Sequence, residues 1–277
     1  GATNLVTGIA QAKAAFSPVV AIAGSYSTKD KMEDAFQGLD QQSLFTPITK
    51  KTLTGGQAAI QSIKKEKIKH VFGLIGSATM EMFDALYHEK KIKFIGVRDE
   101  RTGTHMADGY ARASNSPGVI LAGQNGPGAT NLVTGIAQAK AAFSPVVSIA
   151  GSYSTKDKME DAFQGLDQQS LFSPITKKTW TVTNAKKIPA VFNDAFNLAM
   201  TPRRGPVCIN LPRNILATSG NFNINNKISY SSENLVKGEI NKIKKASRLI
   251  KNSKKAVIIA GGGIKYTAKY KEVIRLA

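Results

Sequence analysis

One cysteine, one tryptophan, three histidines and only 19 acidic residues occur in the 277 residues of this chain. Each shortage excludes something. The single thiol, Cys208, cannot close an internal disulfide, so the stapled framework of small secreted proteins is ruled out and a reducing cytoplasm is the expected compartment. Cys208 sits in the apolar run Pro206-Val207-Cys208-Ile209, which suits a buried structural thiol better than a nucleophile. Nothing resembles zinc-ligand spacing, so no metal is expected on these residues. No apolar stretch reaches the ~18 residues that a membrane-spanning helix needs, and neither candidate start of the domain, Gly1 or Thr52, reads as a signal peptide. No membrane partner is expected.

Acid is scarce and base is not, and the net charge is +19. A basic chain invites a nucleic-acid reading, but the distribution argues against it. Thirty of the 38 basic residues are lysines, whereas arginine is the better phosphate fork. Residues 217–277 hold 13 lysines and arginines against three acids, so ten of the nineteen charges fall in the last segment. Aromatic and basic residues are not interleaved. No nucleic-acid partner is expected.

What the chain does have is a sizeable apolar fraction, 42 %, and a long internal duplication. Residues 1–52 repeat residues 128–179 at an offset of 127, differing only at Ala21 against Ser148 and Thr46 against Ser173. Repeat architectures have short periods, several copies and drift between them. Two near-identical copies at one long offset instead mark a recent tandem duplication or an assembly artefact. Residues 1–52 are therefore read as an orphan duplicate of 128–179, too small to bury a core of their own. The real domain begins near Thr52, and 53–216 is expected to be one compact unit.

Along that unit apolar runs alternate with helical spacing. Gln57–Lys69 has a helical pattern, His70–Leu74 reads as a strand, and Met80–His88 returns to helical spacing. Phe94–Val97 and Val119–Ala122 are two more strands. The first leads into Arg98-Asp99-Glu100-Arg101 and a helix to Arg112, the second into the turn Gln124-Asn125-Gly126-Pro127-Gly128. Val146–Ala150 is a strand followed by a polar loop, Ile188–Met200 a helix and Val207–Leu211 a strand. The alternation implies an α/β fold with a doubly wound, mainly parallel sheet. In such sheets ligands bind at the carboxyl edge, where Ser77, Glu100 and Gly126 are all expected. Residues 217–234 read as a linker. Residues 235–277 read as the beginning of a second α/β domain, with a helix over Leu235–Ile250 and a strand over Lys255–Ala260 before Gly261-Gly262-Gly263. That glycine triplet is read as a tight turn, because no acidic ribose partner follows it.

Taken alone, Glu100 reads as an ordinary helix-start acid at the positive end of a dipole. The motifs around it change that. Gly73-x-x-Gly76, Val97-Arg98-Asp99-Glu100, Ala107-Asp108-Gly109-Tyr110-Ala111-Arg112, Asn125-Gly126-Pro127-Gly128-Ala129-Thr130-Asn131 and Ala162-Phe163-Gln164 together resemble the thiamine-diphosphate-dependent enzymes of the acetolactate synthase type. The resemblance makes 53–216 the pyrimidine-binding domain and 235–277 the start of a truncated central domain. It implies that Glu100 bonds the aminopyrimidine ring of thiamine diphosphate, favouring the tautomer that removes the thiazolium proton. It also implies that Ser77, Asn125, Gly126, Pro127, Gly128 and Asn131 line the cofactor and that Gln164 reaches toward the reaction centre. On the residues alone, Gln164 reads equally as a solvated neighbour of an anchoring Phe163. His105, one turn into the helix, is read as a packing or surface histidine.

By the same resemblance Mg2+ and the diphosphate belong to a further carboxyl-terminal domain, so 1–277 by itself is expected to be inactive. The full-length protein is expected to be a homodimer or homotetramer acting on a 2-oxo acid or aldehyde. Two positions depart from the synthases, which usually carry glycine at Ser77 and serine at Asn125. Both look more like sulfoacetaldehyde acetyltransferases of the same superfamily. A non-catalytic pyrimidine-domain-like module is the remaining alternative, and retention of Glu100 argues against it.

Overall fold

The computed structural model describes residues 4–15, 19–23, 53–224, 228, 230, 238–264 and 270–277. The chain divides into two compact units, 1–53 and 54–277.

The second unit is built on six strands: β1 (His70–Leu74), β2 (Lys93–Gly96), β3 (Gly118–Ala122), β4 (Val146–Ser152), β5 (Thr179–Thr181) and β6 (Val207–Pro212). They form one sheet in the order β2-β1-β3-β4-β6-β5, and every pairing in it is parallel. The apolar runs of the sequence are continuous because both faces of this sheet are covered, so successive residues go to opposite cores. Val119 and Leu121 of β3 join one cluster with Val147 and Ile149 of β4; Ile120 and Ala122 join the other with Val146 and Ala150. The first cluster is closed by α1 (Gly55–Lys65), α2 (Met80–His88) and α7 (Ile188–Met200). The second is closed by α3 (Glu100–Ser114), α4 (Pro127–Asn131), α5 (Val133–Ala141) and α6 (Gln168–Phe172). This is the doubly wound parallel sheet that the alternation implied.

Helix starts follow local chemistry. Thr54 caps α1 in a reciprocal box, its hydroxyl accepting from the Gln57 backbone while the Gln57 side chain accepts from the Thr54 backbone. Asp99 caps α3 through its carboxylate and the Arg101 N–H. The edge strand β5 has no counterpart in the sequence reading: Thr179-Trp180-Thr181 is too short and too polar to stand out. Past Ala217 the chain stays in contact with this unit, since Phe222 and Tyr230 pack against the first core cluster. The helix expected over Leu235–Ile250 is observed as Ile240–Lys251. No strand forms over Lys255–Ala260, where Val257 and Ile259 are 86 % and 93 % exposed. Among the described residues no strand lies alongside to supply the ladder that this apolar run would need.

The first unit shows the same point with an internal control. Its helix Leu5–Ala14 buries none of its residues, and Val20 and Ile22 are 90 % and 91 % exposed. Their twins Val147 and Ile149 are fully buried in β4. The run from 24 to 52 lies outside the described residues. No described helix is long and apolar enough to cross a membrane.

Candidate active site

A parallel sheet sends the residue after every strand to one edge, and four loops of this one carry the expected site. Ser77 follows β1 in a short 3-10 turn, Glu100 follows β2 as the first residue of α3, and the turn 124–128 links β3 to α4. The segment from Tyr153 to Asp167 follows β4 and brings Gln164 back over that turn.

Two groups form there. In the first, Glu100 is only 4 % exposed and its Oε2 accepts a bond of 3.0 Å from Nδ2 of Asn131. Its Oε1 lies 3.1 Å from where a Cβ on Gly128 would stand, so glycine leaves room for the carboxylate. The Glu100 carbonyl accepts from the Thr104 hydroxyl at 2.7 Å, which fixes the first turn of α3. In the second group, Gly126 has φ +55°, and a Cβ there would fall 2.8 Å from the Gln164 carbonyl oxygen. Asn125 is buried, and its Nδ2 donates to the carbonyls of Phe163 at 2.8 Å and Gln164 at 3.1 Å. Gln164 is itself left-handed, φ +56°, and its Oε1 is buried without a hydrogen-bond partner. Ser77 donates to Oε1 of Gln124 at 3.1 Å, tying the first loop to the third. Pro127 occupies the first turn of α4, where its missing N–H costs nothing.

All eight residues singled out from the sequence therefore lie along one edge, bonded or packed into these two groups. His105 is apart from them, exposed on α3. Gln124 and the anchoring part of Asn125 went unforeseen, because their partners are local only in space: 47 residues separate Ser77 from Gln124, and 38 separate Asn125 from Phe163. The far end of this segment is pinned too. Hydrogen bonds from Ser170 hold the Asp167 carboxyl below its ordinary range, and Asp167 caps α6. Gln168, the next residue, donates to the Gly151 carbonyl at 3.0 Å.

Electrostatically the edge offers the buried carboxyl group of Glu100, the unpartnered amide oxygen of Gln164 and a glycine turn against which both side chains are seated. These suit a flat heteroaromatic ring with donor groups. Among the described residues no group of three His, Cys, Asp or Glu is placed to hold a metal ion.

Residues 53–171 match the family described as thiamine pyrophosphate enzyme, N-terminal TPP binding domain. The chain thus contains the amino-terminal cofactor-binding domain of a thiamine-diphosphate-dependent enzyme. It belongs with the enzymes of the acetolactate synthase type. It is 39 % identical over 228 residues to a probable acetolactate synthase large subunit of Methanococcus aeolicus, covering 81 % of this chain and 38 % of the relative. An acetolactate synthase large subunit of Buchnera aphidicola is 41 % identical over 215 residues, 76 % of this chain and 38 % of the relative. Isozyme 3 of Escherichia coli is 36 % identical over 220 residues, 76 % of this chain and 37 % of the relative. The chain thus spans under two fifths of these relatives' own length.

Proposed function

We propose that the chain is the amino-terminal part of a thiamine-diphosphate-dependent carboligase that decarboxylates a 2-oxo acid and transfers the two-carbon unit. In this reading residues 53–216 are the pyrimidine-binding domain, 217–234 connect it to the central domain, and residues 1–52 are a duplicate outside the catalytic fold. The observation that carries it is Glu100, a buried carboxylate held by Asn131 beside the missing side chain of Gly128.

Bound thiamine diphosphate supplies a carbon nucleophile that no amino-acid side chain can offer. The chain's own residues hold and orient it. Glu100 would hold the proton for the aminopyrimidine ring, and Asn131, by engaging Oε2, leaves Oε1 for that bond. Gly126 leaves room for Gln164 and Gly128 for the Glu100 carboxyl group, Pro127 stiffens the turn between them, and Ser77, through Gln124, braces it with Asn125. Gln164, whose amide oxygen is buried without a hydrogen-bond partner, would reach toward the reacting end. Mg2+ and the diphosphate fall to residues outside these groups, in a homo-oligomeric enzyme of a reducing cytoplasm.

A second reading, an acetyltransferase acting on sulfoacetaldehyde, is favoured by two positions: Ser77 and Asn125 stand where the synthases usually carry glycine and serine. The test is a substrate comparison in an enzyme completed with the diphosphate-binding domain of a relative. Turnover of a 2-oxo acid with release of carbon dioxide supports the carboligase. Turnover of sulfoacetaldehyde alone supports the acetyltransferase, and failure of both with the cofactor bound contradicts the catalytic reading.

A further inference from the structure

We propose that Asn125 is a positioning residue: its amide clamps the segment carrying Gln164 onto the glycine turn and so sets where Gln164 stands. The inference rests on the reading of this edge as the reaction site, and concerns a residue for which that reading expects only cofactor contact.

The geometry leaves Asn125 no donor for a ligand. It is buried, and both amide hydrogens are engaged, one by the Phe163 carbonyl at 2.8 Å and one by the Gln164 carbonyl at 3.1 Å. The clamp works against two costs. Gln164 takes a left-handed backbone at φ +56°, which a residue with a Cβ adopts only when its surroundings impose it. Phe163 is 80 % exposed, so burial of its ring does not draw the segment down. The fit is completed from below by Gly126, whose absent Cβ would stand 2.9 Å from the Gln164 Cβ. Two side-chain bonds and a hydrogen atom in place of a methyl group thus hold Gln164 with its Oε1 buried and unpartnered.

A serine at position 125 could not do this. Its hydroxyl ends one bond shorter and donates a single hydrogen, so at most one of the two carbonyls would be held. Chains with serine at this turn must seat the following glutamine by other contacts. The difference between serine and asparagine there is therefore a specificity element, acting on the shape of the site through Gln164.

Limited proteolysis of the full chain reads the clamp without any cofactor. Chymotrypsin cleaves after Phe163 only when the segment lifts. Losing one or both bonds in Asn125→Ser should speed that cut about five- to thirty-fold, and Asn125→Asp, which keeps the shape but cannot donate, should do at least as much. Cleavage after Tyr87, exposed on α2, should not change and reports whether either variant has lost its fold. Cleavage after Phe163 at the parent rate in a folded Asn125→Ser chain overturns the clamp, whatever the cofactor reading. The second readout is a double-mutant cycle in the completed enzyme. If Asn125 acts through Gln164, Asn125→Ser lowers kcat in the parent and has no further effect in Gln164→Ala. Additive losses would show that Asn125 has a role of its own and overturn the positioning assignment.

Discussion

Gly135 and Gly8 occupy the same place in two copies of the same sequence, and substituting each by alanine should give opposite results. In α5 a Cβ on Gly135 would fall 2.5 Å from Cγ2 and 2.6 Å from Cβ of Thr104, with the His105 nitrogen at 3.3 Å. Thr104 cannot step aside freely: it is fully buried, and its hydroxyl holds the Glu100 carbonyl at 2.7 Å. Overpacking of this kind costs about 1–3 kcal/mol, and it exceeds the gain of up to ~1 kcal/mol that alanine brings to a helix interior. At roughly 2–4 °C per kcal/mol for a unit of this size, Gly135→Ala should melt about 2–8 °C lower. At Gly8 nothing stands within 4 Å of the added Cβ, so the helical gain is unopposed. Gly8→Ala should leave the main transition in place and raise the helical signal slightly. The assay is thermal denaturation followed by circular dichroism. Equal melting of the parent and Gly135→Ala would refute the close approach of α5 to α3. An equal loss from Gly8→Ala would refute the exposure of the first copy.

Cys208 is fully buried and desolvation pushes its thiol up to about 12, so an aromatic disulfide reagent at pH 8 should react only as fast as the chain unfolds. Prompt labelling of the native protein would place the thiol at the surface. Burial raises the pKa of Glu89, but the Lys64 ammonium at 2.6 Å and the Lys91 backbone N–H at 2.9 Å together outweigh it, and the net shift is downward from 4.5. A carboxyl lowered by folding stabilises above its unfolded value and loses that contribution as pH falls through the lower, folded one. Lys64→Met should therefore cost about 1 kcal/mol near pH 7, and the cost should shrink as pH falls below 4.5 in urea titrations. A penalty independent of pH would mean that Lys64 contributes packing alone.

The sheet was legible because five of its strands read as apolar runs bounded by turns: four are largely buried on both faces, and the edge strand β2 is partly buried through Phe94 and Ile95. The same signal misled over Lys255–Ala260. Val19–Ala23 shows why: it is all but identical to Val146–Ala150, yet only the latter lies between β3 and β6 and forms a strand. Composition specifies a tendency, and neighbours supply the hydrogen-bond ladder. Phe222 and Tyr230 were hidden for the opposite reason, as single aromatic anchors in an Asn- and Ser-rich stretch that reads as a linker. At the site, position after a strand was enough to bring Glu100, Ser77 and the glycine turn together. The clamp from Asn125 was not legible, because it depends on a carbonyl 38 residues away and on the positive φ of Gln164.

Glu100→Gln in the completed enzyme tests the central claim most directly. The amide keeps the size of the side chain and can still bond the pyrimidine ring, so cofactor affinity should stay within a few-fold. It cannot exchange a proton as the carboxyl does, and a general acid–base contribution is worth roughly 10²–10⁴ in rate, about 3–5 kcal/mol. Exchange of the thiazolium proton with deuterium, followed by NMR on the bound cofactor, isolates that step. The account predicts exchange at least ~100-fold slower than in the parent. Exchange at the parent's rate with cofactor bound would contradict the role given to Glu100.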